Sequence, residues 1–205
     1  MPNYNNMAYI KKCLDSILEQ TFQDFKIIVV DDMSTDGSDK FCEMYARNHP
    51  DKIIFQQLKK KGYAGTARNV GLDYPIDCEY IWAIDGDDYI KPKTALSTLY
   101  RYAKSLKYDA IFFGGWYDKN DRLFNLPNRN KIDLSSPIYS DPTYHTCKIV
   151  KPKCFGKYLE NCMVGQDLYH SYITLSKIKT YLNISNKFYV YRFNMHSTSN
   201  KTGGI

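Results

Sequence analysis

The chain has 205 residues, 43% of them hydrophobic and 24% charged, with a formal net charge of +6. That length suits one domain with a substantial core, and the balance excludes disordered, fibrous and membrane-spanning classes, since no apolar run nears the ~20 residues a membrane helix needs. The moderate basicity has one dense run, Lys59-Lys60-Lys61, and no basic stripe interleaved with aromatics, so a nucleic-acid partner is not expected.

Taken in chain order, Asn5-Asn6 is expected to cap a helix over residues 7–20, with Met7, Ile10, Leu14, Ile17 and Leu18 on one face. "FKIIVVDD" (25–32) is a continuous β-branched run, the pattern of a parallel strand buried on both faces. A helix follows over 38–48, then a strand "KIIFQQL" (52–58), then a glycine-bearing loop entering a short helix, "KGYAGTARNVGLD" (61–73). "EYIWAID" (79–85) predicts a third apolar strand, Pro92 introduces a helix through "KTALSTLYRYAKSL", and "YDAIFFGGW" (108–116) predicts a fourth strand. Residues 117–147 are polar and are expected to form a long connecting loop, with a helix over 166–178 and a late strand over 187–193. Alternation of strand and helix over the first ~115 residues implies βαβ units and a parallel sheet.

Cysteine and aromatic usage narrow the class further. Six cysteines include no CxxC pair, so reduced thiols in a cytoplasm-like compartment are expected, and the scattered histidines give zinc little support. No signal peptide opens the chain. The lysine run reads as a solvated loop, with attraction to a phosphate-bearing substrate or an anionic membrane surface as the alternative. Nineteen tyrosines suit a surface that stacks on sugars, although core-edge packing accounts for most tyrosines in any fold.

Two apolar strands end in acidic clusters, "IIVVDDMSTDG" and "YIWAIDGDD". In open parallel sheets ligands bind beyond the carboxyl ends of the strands. The first cluster nearly spells a calcium loop, Asp32-x-Ser34-x-Asp36-Gly37-x5-Glu43, but it follows a strand rather than a helix and carries Asp39 at an apolar position. Helix capping explains Ser34, Asp36 and Ser38. It does not explain Asp85, Asp87 and Asp88, which raise one another's pKa unless a cation sits among them. Mg²⁺ or Mn²⁺, held by one or two carboxylates and completed by phosphate and water, fits them.

The ordered strings "PNYNNMAYIKKCLDSILEQTFQDFKIIVVDDMSTDGS", "GTARNVGL" and "YIWAIDGDDYIKP" resemble family 2 glycosyltransferases of the GT-A fold over residues 2–92. "VGQDLYHSYI" and "KFYVYRFNMHSTS" resemble the family's acidic helix start and closing segment. The resemblance implies an α/β fold, a mostly parallel sheet flanked by helices with an irregular C-terminal third. It implies one domain over 1–205, complete or part of a larger transferase, with a nucleotide-sugar half (1–116) and an acceptor half (117–205). The activity implied is inverting, metal-assisted transfer from a UDP- or dTDP-sugar to a glycan, lipid-linked or glycoprotein hydroxyl, in the cytoplasm or at the inner face of a membrane.

By the same resemblance, Pro2, Tyr4 and Asn5 form the first loop, with Tyr4 on the nucleobase and Asp32 accepting from the base. Gly65, Arg68 and Gly86 line the nucleotide cleft. Asp85 serves the ribose or a metal-bound water, Asp87 binds Mn²⁺ or Mg²⁺ directly, and Asp167 is the general base. His196 matches a segment that contacts phosphate or metal in some members. Two departures stand out: Gln166 replaces the usual acid before Asp167, and the apolar strand that normally precedes "PNYN" is missing. A nucleotidyltransferase, or a non-catalytic nucleotide-sugar-binding module of the same fold, are the alternatives.

Overall fold

The computed structural model describes residues 1–126 and 146–194. Strand β1 (Pro2–Asn3), helix α1 (Ile10–Leu18), β2 (Ile27–Asp31), α2 (Ser38–Asn48), β3 (Ile53–Gln57) and α3 (Tyr63–Leu72) form the first half. β4 (Tyr89–Ile90), α4 (Ala95–Ala103), β5 (Ala110–Lys119), β6 (Arg122–Asn125), β7 (Lys148–Val150), a 3-10 turn (Pro152–Cys154), α5 (Gln166–Lys177) and β8 (Tyr181–Arg192) follow. The fold is α/β, with one parallel sheet in the order β1-β2-β3 and one mixed sheet in the order β4-β8-β5-β6, β7 pairing with β5.

Alternation places apolar side chains on both faces. In β2, Ile27 and Val29 join α1 (Ile10, Cys13, Leu14, Ile17) in the main core, while Val30 packs with Leu58 and Ala67 under α3. In β5, Ile111 and Phe113 share the main core with Leu99 and Ala103 of α4, while Ala110 and Phe112 meet Leu175 of α5 and Ile178 just after it. Both sheets are therefore covered on two faces, which accounts for the unbroken apolar runs.

Three expectations are corrected. Residues 79–85 form no strand: Ile81 makes one isolated antiparallel bridge, to Val150. The Ile81 and Val150 amides and carbonyls exchange two hydrogen bonds, at 2.8 and 3.0 Å, and among the described residues no ladder extends from them. Asn5-Asn6 supplies no side-chain cap to α1, which begins at Ile10 with the Asn6 carbonyl accepting from the Tyr9 and Ile10 amides at 2.8 Å each. β5 continues to Lys119 and turns at Asn120 and Asp121, both at positive φ (54° and 61°), into β6, a hairpin where a connecting loop was expected. β1, the Pro2–Asn3 pair of "PNYN" itself, lies parallel to β2, and the Met1 amino group donates to the Ile28 carbonyl at 2.9 Å.

Candidate active site

The end of β2 is an internally satisfied network. Asp31 is fully buried and accepts from the Asn3 amide at 2.7 Å, from the Ser34 amide at 2.9 Å and from Gln57 at 3.1 Å. The two carboxylate oxygens of Asp32 accept from the Gly62 and Tyr63 amides, at 2.6 and 2.9 Å, at the start of α3. Asp36 accepts from the Ser38 amide and hydroxyl and from the Met7 amide. Burial opposes its charge, but the Ser38 and Met7 hydrogen bonds hold its pKa below the ordinary value. The oxygens a calcium loop would need are thus taken by amides and hydroxyls.

The Asp85–Asp88 turn is built differently. Its carboxylates meet a guanidinium, a side-chain amide, a phenol and a backbone amide. Asp85 pairs with Arg68, Asp87 Oδ2 accepts from Asn194 at 3.0 Å, and Asp88 Oδ2 accepts from the Tyr189 hydroxyl. Asp88 is only 1% exposed, and its other oxygen accepts from the Arg192 amide at 2.8 Å. Arg192 also donates to the Asp87 carbonyl at 2.6 Å. Burial, with Asp85 beside it, pushes Asp87 up, and burial with Asp87 and Asp85 pushes Asp88 well up.

Arg68, 7% exposed on α3, joins the two sides of the site. One terminal nitrogen reaches Asp85; the other donates to Asp167 at 3.0 Å and to Gln166 at 3.1 Å. Burial disfavours its charge, yet Asp85 and Asp167 outweigh that and raise its pKa above the ordinary value. Its guanidinium lies 5.0 Å from the Tyr158 ring centroid, and Tyr158 stacks on the fully buried His170 ring at 4.0 Å and 7°. His170 Nδ1 is 2.9 Å from the Gly156 carbonyl, anchoring the column to the backbone. Asp167 sits in the first turn of α5 after Gly165, whose φ of 81° suits a residue without Cβ.

Of the expected site residues, Arg68, Asp85 and Asp167 are in direct contact, and Asp87 lies on the same turn as Asp85. Gly65 and Gly86 are required by protein packing. A Cβ at 65 would lie 2.1 Å from the Leu159 carbonyl oxygen, and one at 86 would lie 3.0 Å from that of Pro2. Pro2 is buried in β1, and Asn5 is left-handed (φ 50°) with its Oδ1 accepting from the Thr35 amide. Tyr4 is 43% exposed, with the Lys61 ammonium 3.2 Å over its ring. His196 and much of the expected acceptor segment lie outside the described residues. Sequence reasoning assigned no role to Tyr158, His170, Tyr189, Arg192 and Asn194. "YVYRFN" resembles the family's closing segment, but only the fold reveals that it grips the acidic turn.

Gln166 occupies the position of the usual acid and accepts from Arg68 as a neutral amide oxygen. The two carboxylates on the guanidinium are therefore not joined by one from residue 166. As donors for a divalent cation, Asp87 and Asp85 are hard oxygens of the right type for Mg²⁺ or Mn²⁺, with phosphate and water to complete the shell. Burial first, and the neighbouring carboxylates second, raise Asp87 and Asp88. Among the described residues no three His, Cys, Asp or Glu side chains cluster as a metal site, so a cation here would rest on Asp87 and Asp85 and on the ligands it brings.

Comparison with known proteins agrees with this architecture. The TarS 1-349 chain of S. aureus, in complex with UDP-GlcNAc, superposes with a TM-score of 0.80 over 97% of this chain and 59% of its own, at 22% identity. A mannosyltransferase of Pyrobaculum calidifontis, in complex with GDP-Man and Mn²⁺, superposes with a TM-score of 0.68 over 96% of this chain and 56% of its own, at 17% identity. Both establish the GT-A fold. In sequence, the glycosyltransferase GlyG of Streptococcus pneumoniae serotype 4 is 28% identical over 94% of this chain and 69% of its own length. The minor teichoic acid biosynthesis protein GgaB of Bacillus subtilis is 28% identical over 94% of this chain but only 22% of its own length. The profile of Glycosyl transferase family 2 matches residues 1–173, running from β1 into α5 and so across every carboxylate just described: the chain belongs to that family.

Proposed function

We propose that this glycosyltransferase moves a sugar from a UDP- or dTDP-sugar to an acceptor hydroxyl with inversion, using Asp167 as general base. The observation that carries the reading is the Arg68 bridge, which ties the donor-side carboxylate Asp85 to the acceptor-side carboxylate Asp167 through one guanidinium. Tyr4 offers an exposed ring for the base. Asp87, with Asp85, would hold a divalent cation, whose chemistry is to offset charge on the departing diphosphate. The acceptor oxygen bonds to the anomeric carbon as the bond to the diphosphate oxygen breaks. That electron pair leaves with the diphosphate, and Asp167 takes the hydroxyl proton.

The acceptor is proposed to be a glycan or lipid-linked glycan handled on the cytoplasmic side, as relatives named for teichoic acid and related polymers suggest. The whole chain of 205 residues is proposed to work as one domain, with the nucleotide half ending near residue 116. The test is a screen of nucleotide sugars, UDP-GlcNAc first, for Mn²⁺-dependent hydrolysis without acceptor. The expected product is the nucleoside diphosphate; pyrophosphate would instead mark nucleotidyl transfer. Donor binding with no turnover under any metal would identify a non-catalytic module, the reading Gln166 favours.

A further inference from the structure

The outer face of α5 and the loop before it expose a cluster of large apolar side chains. Met163, Val164, Leu168 and Tyr172 are each more than half exposed, and Leu159 and Tyr169 are also exposed. This is a run of six large apolar residues in a segment of 14, whereas exposed apolar residues scattered singly are ordinary. The cluster flanks Asp167 on both sides in sequence, so it borders the acceptor side of the site. The Asn161 amide donates to Thr66 Oγ1 at 3.1 Å, seating the loop on the first turn of α3. Directly before that turn stand Lys59, Lys60 and Lys61. Lys59 and Lys60 are exposed and have no ion-pair partner among the described residues.

We infer that this face, Leu159 to Tyr172 with the adjoining lysine run, seats the protein on an anionic lipid surface and so presents a lipid-linked acceptor to Asp167. Aliphatic side chains beside tyrosines suit the boundary between acyl chains and headgroups. Neighbouring lysines suit anionic headgroups, which attract basic residues within a Debye length. The chain's charge of +6 acts in the same direction. A soluble sugar acceptor gives no reason for Met163, Val164 and Leu168 to stand in water. The inference rests on the proposed glycosyl transfer for the identity of the acceptor, but its membrane half is measured independently.

The test is co-flotation with vesicles of phosphatidylcholine alone and of phosphatidylcholine with one-third phosphatidylglycerol, with donor hydrolysis assayed in solution on the same samples. Wild type is expected to float with the anionic vesicles and to remain below with the neutral ones. Met163→Asp with Leu168→Asp is expected to cut the bound fraction at least ~10-fold, and Lys59→Glu with Lys60→Glu by about five-fold or more per residue. Both pairs should leave donor hydrolysis and the circular-dichroism melt unchanged. Wild type that ignores both vesicle types overturns the inference, as does binding undiminished in the Asp pair. A concentration-dependent dimer by light scattering that the Asp pair abolishes also overturns it, because a second copy would then cover this face. Flotation without hydrolysis sinks the transferase reading and leaves the lipid seat standing; hydrolysis without flotation does the reverse.

Discussion

The two acidic strand ends of this protein look alike in sequence and behave oppositely in the fold. At the end of β2, Asp31, Asp32 and Asp36 are surrounded by neutral donors, namely backbone amides, hydroxyls and side-chain amides. At the 85–88 turn, carboxylates crowd one another, and burial pushes Asp87 and Asp88 up. A carboxylate whose lone pairs are filled by its own chain holds the backbone in place. One raised by burial and by neighbouring carboxylates gains most from a nearby positive charge. Counting acids does not separate these cases.

The contrast predicts a hierarchy of mutational effects. Asp167→Asn is expected to cost up to ~10⁴-fold in kcat with donor affinity nearly unchanged, measured by transfer kinetics beside calorimetric donor binding. Loss of donor binding would reassign the residue to the framework. Asp87→Ala should cost about 10³-fold in Mn²⁺-supported donor hydrolysis, while Asp36→Ala leaves hydrolysis within a few-fold of wild type. Equal losses in the two would erase the distinction between the clusters. Asp32→Ala is expected to lower unfolding free energy by about 2–3 kcal/mol in a urea titration, because the Gly62 and Tyr63 amides lose their acceptors.

The smallest effect concerns pH. Burial opposes the charge on Asp109, but Lys153 and the Lys179 and Thr180 amides outweigh it and hold its pKa at about 2. A depressed carboxylate contributes stability above its unfolded pKa, near 4, and loses it as pH falls toward the folded value. Asp109→Asn should therefore lower the Tm by a few degrees at pH 7, and the difference should close between about pH 4 and pH 2. A gap that stays constant with pH would assign the effect to packing.

Local pattern carried the first half of the fold well. The runs 25–32 and 52–58 contain β2 and β3, and 38–48 matches α2, because buried β-branched runs and amphipathic spacing are local signals. The run 79–85 carried the same signal and forms no strand, because pairing depends on what lies alongside, and among the described residues only Ile81 meets a strand partner, Val150. β6 and β7 were invisible in advance: a four-residue exposed hairpin arm and a three-residue strand leave too short a pattern. Among the site residues, Arg68, Asp85 and Asp167 were picked out individually, but nothing in the sequence joins positions 17 and 99 apart through one guanidinium. Asp88, given no separate role by the sequence, is the buried clasp on Tyr189 and Arg192.

That clasp also orders events in time. Asp88 grips residues 101 and 104 positions further along the chain. On a translating ribosome the acidic turn emerges long before its partners, and it remains unfastened until β8 has cleared the exit tunnel. The crowded carboxylates thus acquire their final arrangement only after residues 189–194 have been made.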